Sequence, residues 1–127
     1  MSRKPYTTRM TAKDAGAESL RKLEVFKTPV FAKWHDKLAK KNIMLYAIIS
    51  DRLELLEKGN FGDHKNFDGM FELRIFYSAG IRLYGTRKGD TVVIMMCGGD
   101  KDSQARDIQK AKAILEELKN DYEIDKV

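Results

Sequence analysis

The chain has 127 residues, 43% of them hydrophobic and 34% charged, which is enough for one compact core, too little for two, and too apolar for a wholly disordered chain. Its 24 basic and 19 acidic side chains leave a net charge of +5, a balance that favours a polyanionic partner. The single Cys97 excludes an internal disulfide framework, and one cysteine with two histidines makes no zinc-like set, so neither metal nor cofactor is expected. No apolar run approaches the roughly twenty residues of a membrane span, and the chain reads as cytoplasmic with no membrane partner.

In chain order, residues 1–19 read as a flexible basic arm. Residues 1–27 hold seven basic and three acidic side chains, with little apolar periodicity at the start. A folded domain is expected over residues 20–122, and residues 123–127 read as frayed. Leu23, Val25 and Phe26 predict a short strand with one wet face. Thr28 and Pro29 form a helix start, after which Val30, Phe31, Trp34 and Leu38 recur at helical intervals. Trp34 reads as the anchor of that helix on a sheet, and His35 as a partly exposed surface histidine. Asn42 caps a second helix to about Lys58, with Tyr46, Ile49, Leu53 and Leu56 in one row and Gly59 as its stop. Turn formers crowd residues 59–69, which read as a surface loop.

From Met70 the period changes to that of strands. Phe71, Leu73, Ile75 and Tyr77 share one face, and Met70, Glu72, Arg74 and Phe76 the other. Ser78 to Gly80 turns the chain into a strand from Ile81. A tight connection at Arg87 to Asp90 then leads to Thr91–Cys97, which is apolar on both faces like a covered central strand. Gly98, Gly99 and Asp100 end it, and Asp102 or Ser103 caps a last helix with Ile108, Ala111, Leu115 and Leu118 on one side. The expected class is α+β: a small antiparallel sheet with an N-terminal helical hairpin and a C-terminal helix, the first strand returning to the sheet. The outer face of the sheet is the candidate site, suited to an extended or single-stranded polymer.

Arg74 and Arg82 fall on neighbouring strands, where two guanidinium groups can grip one phosphate, and Glu72 can orient either or neutralise both. His64 and Lys65 adjoin them on the glycine-rich loop. The imidazole suits proton transfer near neutrality, and the ammonium suits phosphate binding or protonation of a leaving oxygen. Lys101 stands where the apolar strand meets the last helix. Gln104, Arg106 and Asp107 read as solvent-facing or capping residues of that helix's first turn.

Several phrases, taken in order, resemble one family: Phe31-Ala-Lys-Trp34; Arg52 with Leu53 and Leu56; Lys58-Gly-Asn-Phe-Gly-Asp-His-Lys65; Phe71-Glu-Leu-Arg-Ile75; Gly80-Ile-Arg-Leu-Tyr84; and Gly98-Gly-Asp-Lys-Asp-Ser-Gln104 with Asp107-Ile108 and Ala111-Lys112. Over about residues 22 to 118 the chain resembles the HigB-like toxins of the RelE/ParE superfamily, the addiction-module killer proteins. The resemblance implies a RelE/ParE-like fold and the toxin of a type II toxin-antitoxin pair, silenced by an antitoxin that often carries a helix-turn-helix DNA-binding domain. It also implies a metal-independent endoribonuclease, or RNA interferase, acting on mRNA at the ribosome. Lys65, Arg74, Arg82 and Lys101 match its basic positions, and His64 joins them as a candidate acid or base. Ile81 replaces the usual aromatic residue before Arg82, and Asp107-Ile108 lies where some RelE nucleases carry a catalytic tyrosine. Tyr84 is on the face of Arg82 but at a different position. The superfamily also contains ParE-like gyrase inhibitors, so RNA cleavage, gyrase inhibition and RNA binding without cleavage stay open.

Overall fold

A computed structural model describes residues 21–119 and the backbone of Asp125–Lys126. The basic arm expected at residues 1–19 lies outside the described residues. The elements are β1 (Glu24–Lys27), α1 (Pro29–Lys41), α2 (Ile43–Glu57), β2 (His64–Phe67), β3 (Met70–Ile75), β4 (Ile81–Lys88) and β5 (Val92–Asp100). A 3-10 turn (Lys101–Ser103), α3 (Gln104–Leu118) and the two-residue β6 (Asp125–Lys126) follow. Of the tail read as frayed, Asp125–Lys126 pairs with β1, and the rest lies outside the described residues.

The helical pair forms where its caps demand. The Thr28 Oγ1 accepts from the Phe31 N–H and donates to the Met96 carbonyl, which satisfies a helix end and ties it to the sheet. Pro29 fits the first turn because it has no N–H to lose. Asn42 ends α1, and its Oδ1 accepts from the Leu45 N–H to start α2. Gly59 turns the chain away from α2 with φ +90°, and a side chain there would strike the backbone of Arg21.

The sheet order is β2-β3-β4-β5-β1-β6. β1 runs parallel to β5 while the other pairs are antiparallel, so the sheet is mixed and not the antiparallel sheet expected. The helical hairpin follows β1 instead of opening the fold. These features have one cause: the two helices carry the chain across the sheet, and β1 is left beside β5, pointing the same way. The expected loop at residues 59–69 also contains a strand, β2, an edge strand whose turn-forming residues disguise it.

Each sheet face has its own core. On one side Phe71, Leu73, Leu83, Met95 and Val25 pack with Phe31, Ile49, Leu53 and Leu56 from α1 and α2; each such buried side chain contributes about 1.5–3 kcal/mol. On the other side Met70, Tyr84, Met96 and Cys97 meet Ala111 and Ile114 of α3. A bulge at Tyr84/Gly85 gives β5 an extra residue, so the consecutive Met96 and Cys97 both join this second core. The outer face is therefore partly covered by α3.

β5 continues through Gly98, Gly99 and Asp100 instead of ending before them. The glycines are needed there for space: a side chain at Gly98 would overlap the Trp34 ring, and one at Gly99 would overlap the Asp107 carboxylate. Trp34 is thus the expected anchor, packed against the core. Asp100 caps the 3-10 turn through the Ser103 N–H, so neither Asp102 nor Ser103 supplies the side-chain cap expected of it.

Candidate nucleic-acid interface

The register fixes which candidates share a face. Arg74 is directly opposite Arg82, Glu72 opposite Tyr84, and Lys65 opposite Glu72, so all five project to the α3 side. His64 is opposite Leu73 and projects to the other side, where its ring lies 5.1 Å from Phe61 and its Nδ1 is 2.8 Å from the Gly62 carbonyl. The expectation that His64 and Lys65 adjoin on a glycine-rich loop is corrected by their placement on a strand, where adjacent residues face opposite ways.

The two arginines are held differently. Glu72 is only 1% exposed, yet its Oε2 lies 3.4 Å from the Arg82 Nε and its Oε1 accepts from the Gln104 Nε2 at 3.3 Å. A buried carboxylate needs such partners to offset its lost hydration, and Arg82, 18% exposed, is held in place by meeting that need. Arg74 is more open, 38% exposed, and its Nη2 donates to the Asp63 Oδ1 at 3.1 Å. Glu72 thus pairs with Arg82 and leaves Arg74 to Asp63.

Asp63 is itself positioned by Arg52, a residue whose role the sequence analysis missed. Its guanidinium donates to the carbonyls of Arg74, Phe61 and Asp63 at 2.7–2.9 Å. Burial lowers its pKa and Asp63 opposes that shift, so a charged donor pins the 61–63 segment against β3. The only signal for this was a lone arginine within an otherwise apolar helical row.

Lys101 joins the arginines through the β3–β4 turn. Its N–H donates to the Gly80 carbonyl at 3.0 Å. A Cβ placed on Gly80 would lie 3.3 Å from the Arg82 Nη1 and 3.9 Å from the Lys101 Cβ. The Lys101 side chain is exposed and makes no ion pair among the described residues. Arg74, Arg82 and Lys101 thus occupy one open end of the sheet, Lys65 flanks them beyond Glu72, and His64 does not belong to the group.

Three polar residues differ from expectation. His35 is buried, stacked on Tyr46 with ring centroids 4.3 Å apart, and its Nε2 lies 3.3 Å from both the Tyr46 carbonyl and the Ser50 Oγ. Burial lowers its pKa against the upward pull of the Tyr46 carbonyl and Asp36. Asp107 is buried behind Gly99, where it accepts from the Ser103 Oγ, and Gln104 turns inward to Glu72. Both had read as solvent-facing or capping because residues near a helix start serve those roles by default.

Tyr84 shares the face of Arg82 but is wholly buried, with a hydroxyl that finds no hydrogen-bond partner among the described residues. Burial, with Glu72 and Asp107 nearby, raises its pKa, so it stays protonated and out of reach of a surface ligand. Cys97 is likewise pushed up to about 12 by burial and by Asp107, the setting of an inert thiol. A cleft of about 500 Å³ lies beside Trp34, Gly98, Asp102, Arg106 and Asp107, but Arg74, Arg82 and Lys101 do not line it. Among the described residues no three His, Cys, Asp or Glu side chains are grouped to hold a metal ion, and no helix is long and apolar enough to cross a membrane.

The chain is 42% identical over 97 residues to an uncharacterized protein of Haemophilus influenzae, an alignment covering 76% of this chain and 96% of that protein. No family model matches the sequence, and no solved structure matches it.

Proposed function

We propose that this chain, which belongs to the family of the Haemophilus influenzae protein, is the toxin of a type II toxin-antitoxin pair with a RelE/ParE-like fold, acting in the cytoplasm as a metal-independent mRNA endoribonuclease at the ribosome. The observation that carries this reading is the juxtaposition of Arg74, Arg82 and Lys101 at an end of the sheet that the helices leave open. RNA holds its own nucleophile, so a protein that positions a phosphodiester and stabilises developing charge can cleave it without a cofactor.

In the proposed reaction the 2′-oxygen bonds to phosphorus and the bond to the 5′-oxygen breaks, leaving a 2′,3′-cyclic phosphate and a 5′-hydroxyl. Arg82, held by Glu72, donates to the non-bridging oxygens, where charge grows in the transition state. Arg74 exchanges Asp63 for the phosphate. Lys101 supplies a proton to the leaving oxygen while the 2′-hydroxyl proton departs to water. Lys65 holds a neighbouring phosphate.

Purified protein incubated with translating ribosomes in chelator is expected to yield discrete message breaks ending in cyclic or 3′-phosphate. Intact message, where a ribosome-dependent nuclease control cuts, would overturn the reading. Coexpression with the antitoxin encoded by the adjacent reading frame should restore growth and suppress cleavage. A second reading, a ParE-like gyrase inhibitor or an RNA binder without cleavage, is favoured by one specific feature: both arginines are already ion-paired within the fold. Capture of gyrase without ribosomes, together with intact RNA, would select that inhibitor.

A further inference from the structure

Phe76 is the one large hydrophobic side chain among the described residues that is left almost wholly in water, at 90% exposure against 64% for Ile43 and 62% for Met44. Its place in the fold is specific. It follows the last β3 residue, two positions after Arg74, and so lies on the arginine side of the sheet, about 6 to 7 Å further along the strand. The register pairs Ile75 with Ile81, and beyond that pair the Gly80 N–H donates to the Tyr77 carbonyl, so Phe76 enters the same turn as Gly80, the residue against which the Arg82 Nη1 and the Lys101 Cβ both lie. Its neighbour Tyr77 goes the other way: it packs on the helical-pair core, and its hydroxyl donates to the Asn42 Oδ1 at 3.3 Å. That anchor holds the hairpin from beneath and leaves Phe76 in water on the side of the sheet that carries Arg74 and Arg82.

We infer that Phe76 is a stacking platform for a base of single-stranded RNA whose adjoining phosphates lie on Arg74, Arg82 and Lys101. The inference rests on the RNA reading above and adds to it a residue that positions the base. An exposed ring next to a cluster of cations has the composition of a single-strand site, in which stacking supplies sequence-tolerant affinity and the cations track the backbone. A base on the ring also removes apolar surface from water on both partners. Because Phe76 makes no core contact, replacing it should leave the fold unchanged.

The test uses the full chain and a short RNA made uncleavable by 2′-O-methyl groups, with 2-aminopurine placed at successive positions, both free and in the decoding site of a programmed ribosome. Wild-type protein should quench the probe at one position. Phe76→Ala should bind about tenfold to a hundredfold more weakly and lose that quench, Phe76→Tyr should restore both, and Phe76→Leu should restore neither fully. Wild-type affinity and quench in Phe76→Ala, or full recovery in Phe76→Leu, would overturn the stacking role while leaving RNA binding by the basic group in place. Failure of the wild type to bind in either setting, while Phe76→Ala remains folded, would overturn the RNA reading together with the platform.

Discussion

The two faces of the sheet use the same strands for opposite ends. Under α1 and α2 the strands present Phe71, Leu73, Leu83 and Met95 to an apolar core. Under α3 they present Met70, Tyr84 and Cys97, but beside these lie the buried Glu72 and Asp107 and an unpartnered tyrosine hydroxyl. The first face gains stability from every residue it buries. The second gives up part of that gain to hold a carboxylate in a place where hydrophobic residues would cost less, and what it obtains is a guanidinium fixed beside an open surface. The buried carboxylates Glu72 and Asp107 lie on the α3 face, next to exposed cations, and locate the candidate site better than the total charge does.

The contrast can be broken most forcefully at Arg82. Arg82→Met leaves Glu72 buried without its cation, and loss of one partner from such a pair costs about 3–5 kcal/mol. The double variant Glu72→Gln/Arg82→Met should recover much of that stability in denaturant unfolding and none of the activity. A double variant as unstable as the single one would show that Arg82 is not what holds Glu72. On the opposite face, Leu83→Ala should cost about 2–5 kcal/mol through the cavity it opens, while cleavage per folded molecule stays at the wild-type level. A loss of specific activity larger than the loss of folded protein would mean that the two faces are coupled.

Acid should weaken the molecule through His35. Its folded-state pKa lies below the ordinary 6.5, chiefly because it is buried, so the unfolded chain takes up the proton more readily. The contribution of neutral His35 is present above about pH 6.5 and is lost as the pH falls below it. Denaturant midpoints measured from pH 7.5 to 5.5 should fall for the wild type and flatten in His35→Gln; equal slopes would remove His35 as a source. The smallest effect is expected at Asp63→Asn. This exposed pair with Arg74 is worth roughly 0 to 1 kcal/mol, and the variant should raise affinity for RNA by freeing the guanidinium. Weaker RNA binding would show that Asp63 positions Arg74 for its ligand.

Much of the architecture was legible because it is local. The caps at Thr28 and Asn42, the row through Ile49, Leu53 and Leu56, and the alternation of β3 and β4 each follow from neighbours in the chain. What stayed hidden depends on distant partners. β2 is a strand because β3 offers it an edge, although its own residues favour turns. β1 runs parallel to β5 because two helices intervene. Burial of His35 comes from Tyr46 and Ser50 across the helical hairpin, and that of Asp107 from a β5 glycine that leaves room for a carboxylate. For the candidate site, Arg74 opposite Arg82 followed from the hairpin. The separation of His64 from Lys65 required knowing that they lie on a strand, and the partition of Glu72 and Asp63 between the arginines required three dimensions.

The central claim is that the open basic end of the sheet, and not the histidine on the other face, carries the chemistry. Single-turnover cleavage of message on programmed ribosomes, in chelator and at equal concentrations of folded protein, tests it directly. Arg82→Met should slow cleavage about a hundredfold or more, the scale of one lost transition-state contact, while His64→Ala should cut at the wild-type rate with an unchanged pH profile. Undiminished cleavage by Arg82→Met, or its abolition in a folded His64→Ala, would contradict the account.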